Sequence, residues 1–146
     1  MQGSPDASRY RILVVEDEPM ILELITTRLE LAGYQTFHGR DGFEGIERLA
    51  ELRPHAMILD INMPRLDGFG VLRHMKFSGQ LARVPVMVLT ARNQADDVQT
   101  AIKLGARDFL AKPFQDAQLL ARVARLVRKP VTGQPASPPK APPLLL

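Results

Sequence analysis

The chain has 146 residues and no cysteine, which is enough length for one domain with a substantial core and excludes disulfides and thiolate metal sites. Its 19 basic and 16 acidic residues leave a formal net charge of +3, too slight a balance to argue for direct nucleic-acid binding. No apolar run nears the ~18 residues of a spanning helix, and residues 1–9 lack the apolar middle of a signal peptide. The expectation is a cytoplasmic protein, without membrane insertion, whose first nine residues are a disordered lead-in.

Arg11-Ile12-Leu13-Val14-Val15 is a continuous apolar run, as expected of a strand covered on both faces, and it ends in Glu16-Asp17-Glu18-Pro19. Pro19 suits the first turn of a helix, and Ile21, Leu24, Ile25 and Leu29 recur at helical spacing from Met20 to Ala32, with Gly33 as the stop. Tyr34 to His38 reads as a second strand. Asp41-Gly42 turns into a second helix with Phe43, Ile46, Leu49 and Ala50 inward, ending before Pro54. Ala56 to Asp60 is a third strand, and Leu66-Asp67-Gly68 leads into a helix carrying Val71, Leu72 and Met75. Val84 to Thr90 is a fourth strand, with Pro85 tolerated near its start. Ala95 to Leu104 is a helix with Val98, Ala101 and Ile102 on one face. Arg107 to Ala111 is a fifth strand, and Gln115 to Arg128 a fifth helix with Leu119, Leu120, Val123 and Leu126 inward.

Five strand–helix alternations with short connections predict an α/β fold of a single domain over residues 10–129. It is a (βα)5 flavodoxin-like, doubly wound parallel sheet in strand order 2-1-3-4-5. From Pro130 the composition turns to proline among Gly, Ser, Ala and Lys, which suits an extended linker or tail over 130–146. Its closing Leu144-Leu145-Leu146 fits either a stub of something further on or a cloning end.

In that strand order the ends of the first and third strands are neighbours, so Glu16, Asp17 and Asp60 converge at one rim. Unpaired, they would repel one another and raise their pKa values. A hard cation such as Mg²⁺ (or Mn²⁺) answers that need, although three solvated loop acids fit the residue types equally well. The fourth strand ends in Thr90 and the fifth in Ala111-Lys112-Pro113. A carboxylate nucleophile, a divalent metal, a hydroxyl and an ammonium are together what phosphoryl transfer onto an aspartate requires.

The motifs VVEDEP, MILDINMPRLDG, VMVLTA and ARDFLAKPF, in that order, make residues 9 to 129 resemble the receiver domain of bacterial two-component response regulators, the family of the chemotaxis regulator CheY. The resemblance implies that Asp60 is the phosphoacceptor and that Glu16, Asp17, Asp60 and the backbone carbonyl of Asn62 hold Mg²⁺. It implies that Thr90 is the switch hydroxyl and that Lys112 pairs with a phosphoryl oxygen, aimed by a cis bond to Pro113. Phe109 takes the place of the rotameric aromatic, often Tyr, and brings no hydroxyl. Arg92, two after Thr90, stands where the family tunes dephosphorylation. The implied partner is a histidine kinase or histidine phosphotransfer protein, and phosphorylation shifts the face of the fourth helix, fifth strand and fifth helix. The protein is then a signalling phosphoacceptor with self-catalysed chemistry rather than an ordinary enzyme.

The fifth helix resembles the dimerising face of the OmpR/PhoB subfamily, in which Asp108, Arg122 and Arg125 would serve a homodimer. Gln118 stands where those proteins usually carry Glu, and a solvated basic face explains the arginines as well. No effector domain occurs within the sequence, which fits a stand-alone receiver or one that led into an effector through the tail. Two other classes remain. One is a small Mg²⁺-dependent aspartyl-phosphate phosphatase like the haloacid dehalogenases, which place a second Asp where Asn62 stands. The other is a receiver-like docking module that is never phosphorylated.

Overall fold

The computed structural model describes residues 9–91 and 94–128. The lead-in through Ser8, Arg92 and the proline-rich tail lie outside the described residues. The elements run β1 (Arg11–Val15), α1 (Pro19–Leu31), β2 (Gln35–Gly39), α2 (Gly42–Leu52), β3 (Ala56–Asp60), α3 (Gly68–Phe77), a 3₁₀ turn (Gln80–Ala82), β4 (Val86–Ala91), α4 (Ala95–Lys103), β5 (Asp108–Lys112) and α5 (Asp116–Arg128). All strand pairs are parallel and the sheet order is β2-β1-β3-β4-β5, the expected doubly wound, flavodoxin-like arrangement.

Alternation along the strands builds two cores, because successive side chains point to opposite faces. Ile12, Val14, Ile58 and Leu89 pack with Leu22, Ile25 and Leu29 of α1 and Leu119, Val123 and Leu126 of α5. Leu13, Val15, Leu59 and Val88 pack on the other face with Leu49 of α2, Val71, Leu72 and Met75 of α3, and Ala101 of α4. β3 is buried at all five positions, as a central strand covered on both sides must be.

Several expectations need correction. Phe43 and Ala50 do not face inward: Phe43 is 54% exposed, and the buried stripe of α2 is Gly42, Gly45 and Leu49. A Cβ on Gly45 would stand 2.9 Å from Cγ2 of Val15, so α2 lies against β1 on its glycines rather than on its aromatic. Ile102 is 45% exposed, because only Ala101 of α4 enters the core and Val98 is half-buried. On α1 the buried face is Leu22, Ile25 and Leu29, with Ile21 and Leu24 half-buried.

The second strand begins one residue later than expected, since the Tyr34 N–H bonds to the Leu29 carbonyl (3.1 Å) and belongs to the exit of α1. The fourth begins two residues later, because the Arg83 N–H closes the preceding 3₁₀ turn on the Gln80 carbonyl (2.9 Å) and the Val84 N–H still turns back to the same oxygen (2.9 Å). The fifth runs one residue further, taking in Lys112 opposite Ala91. Among the described residues no helix is long and apolar enough to cross a membrane.

Candidate phosphorylation site

Parallel pairing sets the ends of the strands side by side. Val15 lies opposite Leu59 and Asp60 opposite Leu89, so the residues that follow β1, end β3 and end β4 share one rim. Glu16, Asp60 and Thr90 are the buried polar side chains there, at 0%, 1% and 2% exposure, while Asp17 is half-buried and Asn62 exposed. Oxygens of Glu16, Asp17 and Asp60 all lie within 4.8 Å of one another.

Lys112 closes the group from β5. Its Nζ is 3.4 Å from Oε1 of Glu16 and 3.4 Å from Oδ1 of Asp60. Two backbone amides also serve the carboxylates: Glu18 N–H donates to Glu16 Oε2 (3.1 Å) and Asn62 N–H to Asp60 Oδ1 (3.2 Å). Lys112 precedes a cis peptide bond to Pro113.

Burial governs the titration of this group. It lifts Glu16 to about 7, and the neighbouring Asp60 charge adds to the effect. Burial likewise raises Asp60 above its ordinary value, against the pull of the Lys112 ammonium. Lys112 is pulled down by its own burial, but the charges of Asp60 and Glu16 outweigh that and hold it above the usual lysine range. Two buried acids and one ammonium leave an excess of negative charge. The all-oxygen donor set therefore suits a hard divalent cation.

The loop after β3 is built to keep Asp60 in place. A Cβ on Gly68 would stand 2.6 Å from the Asp60 carbonyl oxygen and 2.7 Å from Cα of Ile61, so α3 begins directly against the backbone at the end of β3. Gly68 N–H also donates to the Ile61 carbonyl (2.9 Å), and Asp67 caps α3 by accepting from Gly70 N–H (2.9 Å).

On the far side of Thr90 lies a cavity of about 360 Å³, lined in part by Ala91, Gln94, Val98, Phe109 and Ala111. The Phe109 ring points away from the core at 38% exposure, with the Arg122 guanidinium 5.7 Å from its centroid. Arg122 Nη1 is also 2.6 Å from Asp108 Oδ1, and Arg125 Nη2 is 3.4 Å from Oδ2. The three residues expected at an intersubunit face thus pair within one chain.

Glu16, Asp17, Asp60, Thr90 and Lys112 are brought together at this end of the sheet, with Asn62 on the loop that follows β3, whereas Phe109 lies across the cavity beside Thr90 and joins Asp108, Arg122 and Arg125 in a separate cluster. Sequence reasoning missed the direct Glu16–Lys112 pair. It also missed Arg65, which forms an ion pair with Asp41 and lies over the Phe43 ring. The sole sequence signal for Arg65 is its place in the Pro64–Gly68 turn.

The response regulator receiver domain profile matches residues 12–124. The DNA-binding dual master transcriptional regulator RpaA of Synechocystis is 38% identical over 119 residues, 82% of this chain and 49% of that protein. The transcriptional regulatory protein PrrA of Mycobacterium leprae is 41% identical over 122 residues, 84% of this chain and 52% of that one. The chain thus spans about half the length of these curated relatives. The receiver domain of a signal transduction histidine kinase from Syntrophus aciditrophicus superposes with a TM-score of 0.75 at 35% identity, covering 88% of this chain and 97% of the other. With the sheet order and the acidic rim in the same chain, these similarities identify it as a member of the response regulator receiver domain family of two-component systems.

Proposed function

We propose that Asp60 accepts a phosphoryl group from the phosphohistidine of a histidine kinase or histidine phosphotransfer protein. The observation that carries this reading is the buried Asp60 carboxylate held 3.4 Å from Lys112 Nζ, with Glu16 sharing the same ammonium. An Asp60 carboxylate oxygen forms the bond to phosphorus as the bond from phosphorus to the histidine nitrogen breaks, and the imidazole leaves with a proton. Lys112 gives up part of its contact with the two carboxylates to meet the new phosphoryl oxygens, and the Thr90 hydroxyl donates to another.

Glu16, Asp17, Asp60 and the backbone carbonyl of Asn62 would hold Mg²⁺ (or Mn²⁺), which when bound supplies positive charge to the phosphoryl oxygens. Movement of Thr90 toward Asp60 frees the cavity beside it, and the Phe109 ring can fill that space. The exposed face of α4, β5 and α5 then changes, and with it the surface offered to a downstream partner. The names of the curated relatives favour a transcriptional output, carried by a part of the regulator other than residues 9–128, in a cytoplasmic setting. A homodimer through α4, β5 and α5 would require Asp108, Arg122 and Arg125 to exchange their pairing within the chain for pairing across it.

Acetyl phosphate with Mg²⁺ tests this directly. The expected result is a mass gain of one phosphoryl group in the wild type and none in Asp60→Ala. Steady turnover of external phosphoesters would replace this reading with a phosphatase, and no modification at all would replace it with a docking module.

A further inference from the structure

Pro64-Arg65-Leu66 makes a three-residue turn closed by the Leu66 N–H on the Pro64 carbonyl (2.8 Å), with Arg65 at φ 68°. This is the γ-turn of the rarer, strained hand, and its centre here is a residue with a Cβ. Such a conformation persists only where the surroundings over-determine it.

The surroundings come from α2. The Arg65 guanidinium makes an ion pair with Asp41 Oδ2, and its carbon lies 5.6 Å from the Phe43 ring centroid. Asp41 is already fixed, because its other oxygen caps α2 by accepting from Glu44 N–H (2.8 Å). The first residue of α2 meets the turn itself: a Cβ on Gly42 would stand 2.5 Å from the Leu66 carbonyl oxygen. The exposure of Phe43, unexplained by packing, has a use as the surface on which Arg65 rests.

The same loop carries the chemistry at its base. Asn62 N–H reaches Asp60 Oδ1 (3.2 Å), and Gly68 N–H closes the loop on the Ile61 carbonyl (2.9 Å). The loop is therefore held at its base by backbone contacts and at its tip by the Arg65 side chain. We propose that Arg65 is a positioning residue of the phosphorylation site, whose hold on Asp41 and Phe43 fixes the strained turn and, through it, the Asp60–Asn62 segment that presents metal ligands. The inference deepens the reading of Asp60 as phosphoacceptor and rests on it.

The test uses the full chain with Arg65→Gly and Arg65→Lys. Glycine accepts a positive φ without strain, so Arg65→Gly should unfold at a temperature no lower than the wild type. It should nonetheless bind Mn²⁺, followed by EPR, about three- to tenfold more weakly, the range expected for one exposed ion pair and one exposed cation–π contact. The Mg²⁺ dependence of phosphorylation by acetyl phosphate should shift by the same factor. Arg65→Lys, which keeps a cation for Asp41, should recover part of the loss. Wild-type Mn²⁺ affinity in Arg65→Gly would overturn the proposal, as would a loss of affinity that merely tracks a loss of thermal stability. If the wild type takes up no phosphoryl group while Mn²⁺ binding shifts as stated, the phosphoacceptor reading fails and the positioning role stands.

Discussion

Glu16 and Lys112 meet as an ion pair 3.4 Å apart in which the acid side chain has no exposed surface and the lysine side chain keeps 21% of its own. The acid is the costlier partner to bury, which is why its pKa rises to about 7 in spite of the lysine beside it. Between the ordinary value of 4.5 and about 7, the folded protein holds a proton on Glu16 that the unfolded chain has released. Raising the pH through that window therefore removes stability. Metal-free Glu16→Gln should melt above the wild type at pH 8, and the two should converge below pH 4.5. Thermal unfolding followed by circular dichroism across this range checks the sign, and parallel curves would refute it.

Lys112→Ala removes the ammonium that both buried acids share. The loss should be about 2–3 kcal/mol at pH 8, below the range for a fully buried pair because Lys112 is partly exposed. At pH 5 it should be smaller, since Glu16 is then protonated. Added Mg²⁺ should restore part of the difference at pH 8 by binding only the folded state. Urea unfolding at the two pH values, with and without Mg²⁺, measures all three.

Gly68 and Gly79 offer a paired comparison. A methyl on Gly68 strikes the backbone of Asp60 and Ile61, whereas Gly79, at φ 81°, has nothing within 4 Å and would suffer only backbone strain. Both alanine variants should lose stability, by about 1–3 kcal/mol for Gly68→Ala and ~1 kcal/mol for Gly79→Ala. Only Gly68→Ala should slow phosphorylation by acetyl phosphate when both are assayed well below their melting temperatures.

Arg122 holds Asp108 and lies over the outward Phe109 ring. Arg122→Gln leaves Asp108 with Arg125 and takes the cation off the ring, so the outward position loses ~0.5–1 kcal/mol. A population shift of that size should raise the affinity for beryllofluoride with Mg²⁺ about two- to fivefold. Titration followed by NMR of the Phe109 ring measures it, and an unchanged affinity would separate Arg122 from the switch.

The strands were readable because buried parallel strands are continuous apolar runs. The rim was readable because each run breaks off at a polar residue. The helix faces were read less well. In α2 the choice of face follows from how closely Gly45 lets the backbone approach Val15, and a glycine leaves no mark in a hydrophobic pattern. On α1 apolar residues lie on several sides, so periodicity alone did not single out Leu22. The hold of Arg65 was invisible for a different reason: it depends on a positive φ and on two side chains from another helix. The full burial of Glu16 was hidden because it stands among Asp17, Glu18 and Pro19, which in sequence resemble a solvated loop.

Among the described residues β5 is both the last strand in sequence and an edge of the sheet. The strands that gather Glu16, Asp17, Asp60 and Thr90 precede it, so the ammonium that both buried acids share is the last of the group to be made. Synthesis at about 5–20 residues per second leaves roughly 1–4 s between Thr90 and Lys112 emerging from the ribosome. Until Lys112 emerges, burial of Glu16 and Asp60 lacks its compensating charge, so completion of the rim waits on β5.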